Sequence, residues 1–256
     1  MKKRLKNTSS LYPLLFFALL LGIWQGVSYF EIVPPFMLPS PMSVVRALIN
    51  DASLLLDHSK VTLTEAFLGL FFSVIVAIVT AIIMDESEIV KKTIYPFLIV
   101  TQTIPAIAIA PLLVLWLGYG MTPKIALIFL TCYFPLVISI MGGFASVDGD
   151  IISLFRSMGA SRMQILFWVK LPSAVEGFFA GLRVSASYSI VGAVIAEWLG
   201  GNNGLGVYMT RVRKSYSFDK MFAVIIVVTL LSLLLIGLVD LLEKKATPWK
   251  NIKTNN

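Results

Sequence analysis

Residues 153–172 read Ser-Leu-Phe-Arg-Ser-Met-Gly-Ala-Ser-Arg-Met-Gln-Ile-Leu-Phe-Trp-Val-Lys-Leu-Pro, a polar and basic interruption in an otherwise apolar chain. Ile151, Leu154, Phe155 and Met158 fall on one helical face, with Ser153, Arg156 and Ser157 off it. Gly159 can take the left-handed conformation that ends a helix, and Ser161 followed three residues on by Gln164 is a capping box that starts the next. Ile165, Trp168 and Val169 give that second helix an apolar stripe, and Leu171 with Pro172 is expected to stop it before the next hydrophobic run. Two amphipathic helices hinged at a glycine fit a docking element for a cytoplasmic partner. They fit equally an interfacial connector lying on lipid headgroups.

The surroundings of this block fix the class of protein. The 256 residues are 57% hydrophobic and 14% charged, with a mean hydropathy of +0.87, which excludes a soluble domain. The expectation is an all-α integral membrane protein, with length for about five to seven spans of roughly 20 residues. The net charge of +7 does not point to nucleic acid, because Lys and Arg gather at span ends, where they act as topology signals. Cys132 is the single cysteine, so no intrachain disulfide or cysteine metal site is available. His58 stands in a polar connector and reads as a solvated loop residue.

Taken in order, Lys2, Lys3, Arg4 and Lys6 precede a first span over about 11–30, which lacks a small-residue cleavage site and is read as retained. The proline-rich 31–61 is an extracytoplasmic connector, in which Ser40-Pro41 starts a short amphipathic helix bearing Val44, Val45 and Leu48. Thr62 with Glu65 reads as a second capping box, opening a span from Ala66 to Met84. The third span, about Ile94 to Leu117, carries Pro96, Pro105 and Pro111 and is expected to be kinked or broken. After the turn Gly118-Tyr119-Gly120, a fourth span runs from about Ile125 to Met141, kinked at Pro135. A fifth, about Val175 to Leu199, is studded with Gly177, Gly181, Ser185, Ser187, Ser189 and Gly192, residues small enough for close helix packing. A glycine-rich connector, Gly200 to Gly206, and a basic segment lead to the sixth, Met221 to Val239. The whole chain is therefore read as one transmembrane domain, with its core over about 62–242 and the hinged block at 146–172.

With the N-terminus inside, the inner segments hold thirteen Lys and Arg against seven outside, counting Lys124 and Lys220 among the outer ones. That asymmetry puts both termini and the hinged block in the cytoplasm.

There is no phosphate-cradling Gly-x-x-x-x-Gly-Lys-Ser/Thr, no His-Glu-x-x-His and no glycine-elbow serine, so an enzyme reading has little to stand on. The intramembrane polar residues remain as candidates. Arg183 either faces a path or snorkels to the cytoplasmic interface. Glu197 either anchors at the outer interface beside Trp198 or lines the external mouth. About 1.5 Å of rise per residue separates the two by roughly 21 Å, so they cannot pair within one helix. Gln102, Thr101 and Thr103 either meet a solute or repair helix kinks. An ion-coupled carrier or channel is the alternative of another class; no intramembrane carboxylate pair is evident, which argues against the carrier.

Gly159, nine residues, then Val169-Lys170-Leu171-Pro172 resembles the second half of the "EAA" loop of ABC importer permeases; Ser153, Leu154 and Phe155 stand where that pattern has Glu-Ala-Ala. Gln102-Thr103-Ile104-Pro105, Ala110-Pro111-Leu112-Leu113, Leu117-Gly118-Tyr119-Gly120, Ala180-Gly181-Leu182-Arg183-Val184 and Ala196-Glu197-Trp198-Leu199-Gly200 resemble permeases of the nitrate, sulfonate and taurine importer group. Within that group the chain is most similar to the branch associated with pyrimidine precursors of thiamine.

The resemblance implies a type I ABC importer permease fold of about six transmembrane helices with a cytoplasmic coupling helix, in the cell membrane. The implied working unit is a pair of identical chains, with a separate ABC ATPase that carries ATP and Mg and an extracytoplasmic solute-binding protein. No cofactor is expected on this chain. The implied ATPase-coupling residues are Ser153, Leu154, Phe155, Arg156, Met158, Gly159, Ala160, Ser161, Leu171 and Pro172. Gln102, Thr103, Pro105, Arg183, Ser187 and Glu197 are candidates for the translocation path of a small polar solute, with an aminopyrimidine such as hydroxymethylpyrimidine favoured over a sulfonate, taurine or nitrate.

Overall fold

The computed structural model describes residues 11–248. The basic residues Lys2, Lys3, Arg4, Lys6, Lys250 and Lys253 lie outside the described residues. Ten helices follow in order: α1 Leu11–Tyr29, α2 Pro41–Asn50, α3 Ala52–Glu86, α4 Glu88–Thr103, α5 Ala106–Leu117, α6 Met121–Ala145, α7 Gly149–Ser157, α8 Arg162–Leu199, α9 Leu205–Lys214 and α10 Phe218–Ala246. Among the described residues there is no strand. Helices α1, α3, α6, α8 and α10 are each long and apolar enough to cross a membrane, and the bent pair α4 and α5 makes up to six spans.

Contacts divide the described residues into two units, one within 11–57 with 208–227 and the other within 58–207 with 228–248. In the first, Ser40 caps α2 as its sequence predicts, accepting from the Ser43 amide at 3.1 Å, with Pro41 in the first turn. Val44 and Ala47 pack on Ala223, joined by Trp24, whose indole donates to the Pro39 carbonyl at 2.9 Å. Tyr208 donates to Asp51 Oδ2 at 2.6 Å, and Lys220 Nζ lies 2.8 Å from the same oxygen.

The second unit is organised by α6 against α8. Gly143, Gly177 and Gly181 bring the two backbones together: a Cβ on Gly177 would lie 2.5 Å from the Ser139 carbonyl oxygen. Cys132 donates to the Ser185 carbonyl at 3.2 Å and Ser185 to the Cys132 carbonyl at 3.0 Å, so both small polar groups are satisfied without water. Around this seam Ile128, Leu136, Val137, Ala186, Ile190 and Ala193 are fully buried, together with Ala77, Ala81 and Met84 of α3. Leu14, Phe16, Phe17 and Leu19 of α1 are by contrast exposed, as expected of a helix that meets lipid.

Three local expectations are corrected. Thr62 and Glu65 do not open a span: α3 is continuous from Ala52, inside the segment read as a connector. An i, i+3 polar pair looks the same at a helix start and in a helix interior, and here its partners are tertiary. His58 is buried on α3, not solvated in a loop. Leu171 and Pro172 do not stop a helix, because α8 passes through them by way of a π turn at Leu166–Lys170. The wider turn relaxes the hydrogen-bond ladder just where proline lacks an N–H.

The third span is broken, as its prolines predict. Helices α4 and α5 meet at 102° across Ile104 and Pro105, whereas Pro96, Pro111 and Pro135 sit inside helices.

Two predictions follow from this packing. Gly177→Val forces α6 and α8 apart and should cost about 1–3 kcal/mol, on the order of 5 °C in thermal unfolding of the detergent-solubilised protein. At Asp51, burial raises the carboxyl pKa, but hydrogen bonds from Lys220 and Tyr208 with the Lys220 charge outweigh it and hold the group below its ordinary 3.8. A depressed carboxyl stabilises the fold above its unfolded value near pH ~4, and that contribution disappears as pH falls through the lower folded value. Asp51→Asn should therefore flatten the acid limb of an unfolding-midpoint titration.

Candidate functional site

Among the described residues, chemistry-bearing side chains gather in three places. The first is the hinged block. Helix α7 is capped by Asp148, whose Oδ1 accepts from the Asp150 amide at 2.9 Å, and ends at Gly159 with φ +82°. Ser161 forms the predicted capping box: its hydroxyl accepts from the Gln164 amide at 3.3 Å, and the Gln164 side chain accepts from the Ser161 amide at 2.7 Å. No side chain of α7 is buried. Ile151, Leu154 and Met158 are exposed, and Phe155 is half-buried. Ile165 and Val169 are buried as the stripe requires, but Trp168 is 76% exposed. Phe155, Met158, Gly159, Ala160, Gln164 and Trp168 thus line one open groove. Beneath it Lys170 Nζ lies 2.8 and 2.7 Å from the two carboxylate oxygens of Asp85, tying the π turn to the end of α3.

The second place is a buried polar cluster that joins α3, α6, α8 and the start of α9. Lys124 Nζ lies 2.6 Å from Glu65 Oε1. Glu197 is 1% exposed; it accepts from the Thr62 hydroxyl at 2.7 Å and from the Gly206 amide at 2.6 Å. The Leu205 amide donates to Thr62 Oγ1 at 2.9 Å, and the Gly204 amide to His58 Nδ1 at 2.9 Å. Three side chains therefore satisfy the first free amides of α9, where a carboxylate is also favoured by the helix dipole. Gly204 has φ +124°, and a Cβ there would run into the Glu197 carboxylate. Glu197 is consequently a helix-capping group in the interior, not an interfacial anchor. Glu65 and Glu197, which the sequence reading did not pair, sit in one cluster with Lys124 between charges, and Lys124 is a buried counter-ion instead of an outer-loop charge.

The third place is the α4–α5 break. A half-open cavity of about 250 Å³ lies there, lined by Thr101, Gln102 and Pro105 and walled on the other side by residues of α6 and α8, with Gln102 and Tyr188 exposed at its open side. Of the residues predicted for a path, Gln102 and Pro105 meet here. Thr103 donates to its own helix at the Val100 carbonyl, 2.8 Å away. Ser187 is half-buried on α8, outside the cavity. Arg183 is ion-paired with Asp240 at 3.4 Å and Glu243 at 3.1 Å, which holds α8 to α10. Tyr188 and Thr131, which also line the cavity, were missed because each looks like an ordinary polar residue in an apolar span.

Long apolar helices, one pair of them broken at a proline, with an exposed amphipathic helix between two of them, define a multi-pass membrane protein. The chain matches, over residues 69–248, the family described as binding-protein-dependent transport system inner membrane component. It is 35% identical over 246 residues, 96% of this chain and 98% of the other, to the formylaminopyrimidine transport permease protein ThiX of Halalkalibacterium halodurans. It is 32% identical over 239 residues, 91% of this chain and 87% of the other, to the taurine transport system permease protein TauC of Escherichia coli. An inward-facing structure of the MetNI methionine ABC transporter superposes with a TM-score of 0.65 at 18% identity, covering 82% of this chain and 98% of that one. The chain belongs to this family: it is a multi-pass permease subunit of an ABC importer, with the type I importer permease fold.

Breaking the buried pair on one side should show how much the second cluster matters. Lys124→Met leaves buried carboxylate charge uncompensated and should lower stability by about 3 kcal/mol, whereas adding Glu65→Gln should recover a large part of it. Chemical unfolding of the single and double variants in detergent measures the coupling.

Proposed function

We propose that two copies of this chain form the path through which a separate ABC ATPase, holding ATP and Mg, drives the import of a small aminopyrimidine. An extracytoplasmic binding protein delivers the solute to the outer face. The chain itself binds no cofactor, and both termini lie in the cytoplasm.

The observation that carries this reading is the uncovered apolar face of α7, with no side chain buried, beside an open groove and tied into the membrane helices by the Lys170–Asp85 pair. Such a face is open to be covered by lipid headgroups or by another protein, and membership of an ABC importer family favours the protein. Ser153, Leu154, Phe155, Arg156, Met158, Gly159, Ala160 and Ser161 supply the seat. Leu171 and Pro172 begin the α-helical part of α8 beyond the π turn, which would carry that motion inward. Closure of the ATPase pair would shift the two seats and alternate the access of the path, a rigid-body transition between two packings.

The aminopyrimidine assignment draws on the similarity to the formylaminopyrimidine permease. A sulfonate such as taurine is the second reading, supported by the similarity to the taurine permease.

Arg156→Glu combined with Gly159→Pro tests the seat. Proline fixes φ near −65°, which the +82° at Gly159 cannot accommodate. The expected result is loss of ATPase co-purification and of uptake in reconstituted vesicles, with the permease still inserted. Retained co-purification together with retained uptake overturns the assignment.

A further inference from the structure

The cavity at the α4–α5 break has a chemistry of its own. No charged side chain lines it. The Thr101 hydroxyl donates to the Leu98 carbonyl at 2.7 Å and the Thr131 hydroxyl to the Ile128 carbonyl at 2.9 Å, so each presents only acceptor lone pairs to the cavity. The Gln102 amide and the Tyr188 hydroxyl line the same space and hold no hydrogen bond among the described residues. Leu127, Leu130, Val191 and Ile195 supply aliphatic walls. Gly192 keeps one wall thin, since a Cβ there would come within 3.2 Å of Thr131 Oγ1.

These groups discriminate by charge. An anion brought into this space finds no cation to replace its hydration, and an isolated charge is costly to bury in an apolar surround. A neutral nitrogen heteroaromatic finds the opposite. The Tyr188 hydroxyl can donate to a ring nitrogen, the Gln102 amide can both donate and accept, the threonine oxygens can take exocyclic amino hydrogens, and the aliphatic walls flank the ring faces. The volume of about 250 Å³ suits a single ring; a polar, apolar-walled pocket of this kind is how small-molecule sites are generally built.

Resting on the aminopyrimidine reading above, we infer that the permease carries its own solute subsite at the α4–α5 break, in which Gln102 and Tyr188 select a neutral single-ring nitrogen heterocycle and exclude a sulfonate. Specificity is then exercised twice, once by the delivering protein and once inside the membrane. The break supplies the site: Ile104, Pro105 and Ala106, where α4 and α5 meet at 102°, line it.

The test separates the subsite from the substrate reading. Uptake of radiolabelled formylaminopyrimidine and of radiolabelled taurine is measured with the complete reconstituted transporter. Equilibrium binding of both is measured on the detergent-solubilised permease–ATPase complex without the binding protein. The expected result is uptake and binding of the pyrimidine alone, with binding weakened about five- to tenfold by Gln102→Leu and by Tyr188→Phe, and less by Gln102→Asn.

If the wild type imports the pyrimidine but the complex does not bind it, or binds it equally in all three variants, the subsite is refuted and the substrate reading stands. Uptake and binding of taurine in place of the pyrimidine overturn both. Should Gln102→Leu fail to assemble with the ATPase, Tyr188→Phe, which removes a single oxygen, decides the question.

Discussion

Glu197 accepting the Gly206 amide and the Thr62 hydroxyl is the contact on which the interior of the helix bundle turns. A carboxyl group with 1% exposure inside an apolar bundle persists only when hydrogen bonds replace its lost water. Here Thr62, Gly206 and, through Glu65, Lys124 meet that demand, and each comes from a different element. Satisfying this buried polar cluster therefore fixes the end of α8, a middle turn of α3, the first turn of α6 and the start of α9 against one another. Gly204 is required by the same contact, because a Cβ there would run into the carboxyl group, and Gly206 is required chiefly by the Val194 carbonyl oxygen, which a Cβ there would meet first.

That fixed end stands in contrast to the break between α4 and α5. Pro105 supplies no amide, and the two helices part at 102°. The loss of ladder hydrogen bonds leaves room and unpartnered polar groups side by side, the combination a solute site needs and a close-packed core forbids. The same chain thus spends its buried charges on rigidity at one place and its neutral polar groups on a cavity at another.

What the sequence made legible follows the range of the interactions. Gly159, the Ser161–Gln164 capping box, the Ser40 cap and the proline break are local signals, and each appears where the residues placed it. The small residues of α8 announced close packing because Gly177 and Gly181 have few other uses in a membrane helix. Thr62 and Glu65 misled because a capping box and an interior polar pair share one spacing, and only Lys124 and Glu197, which are distant in sequence, distinguish them. His58 was misread for the same reason, since its partner Gly204 lies 146 residues away. Tyr188 and Thr131 left no trace at all: facing a cavity depends on what α4 and α5 do, and that is not written in α8 or α6.

The π turn at Leu166–Lys170 has a mechanical meaning. Each residue advances an α-helix by about 100° around its axis, so a turn that houses an additional residue resets the azimuth of everything beyond it. The groove residues on one side of the turn and the small-residue seam on the other are thereby phased independently while remaining on one continuous rod. That rod is clamped to α3 by Lys170 and Asp85, so under the coupling proposed above a rotation imposed at the hinge would reach the membrane as a rotation of the seam between α6 and α8.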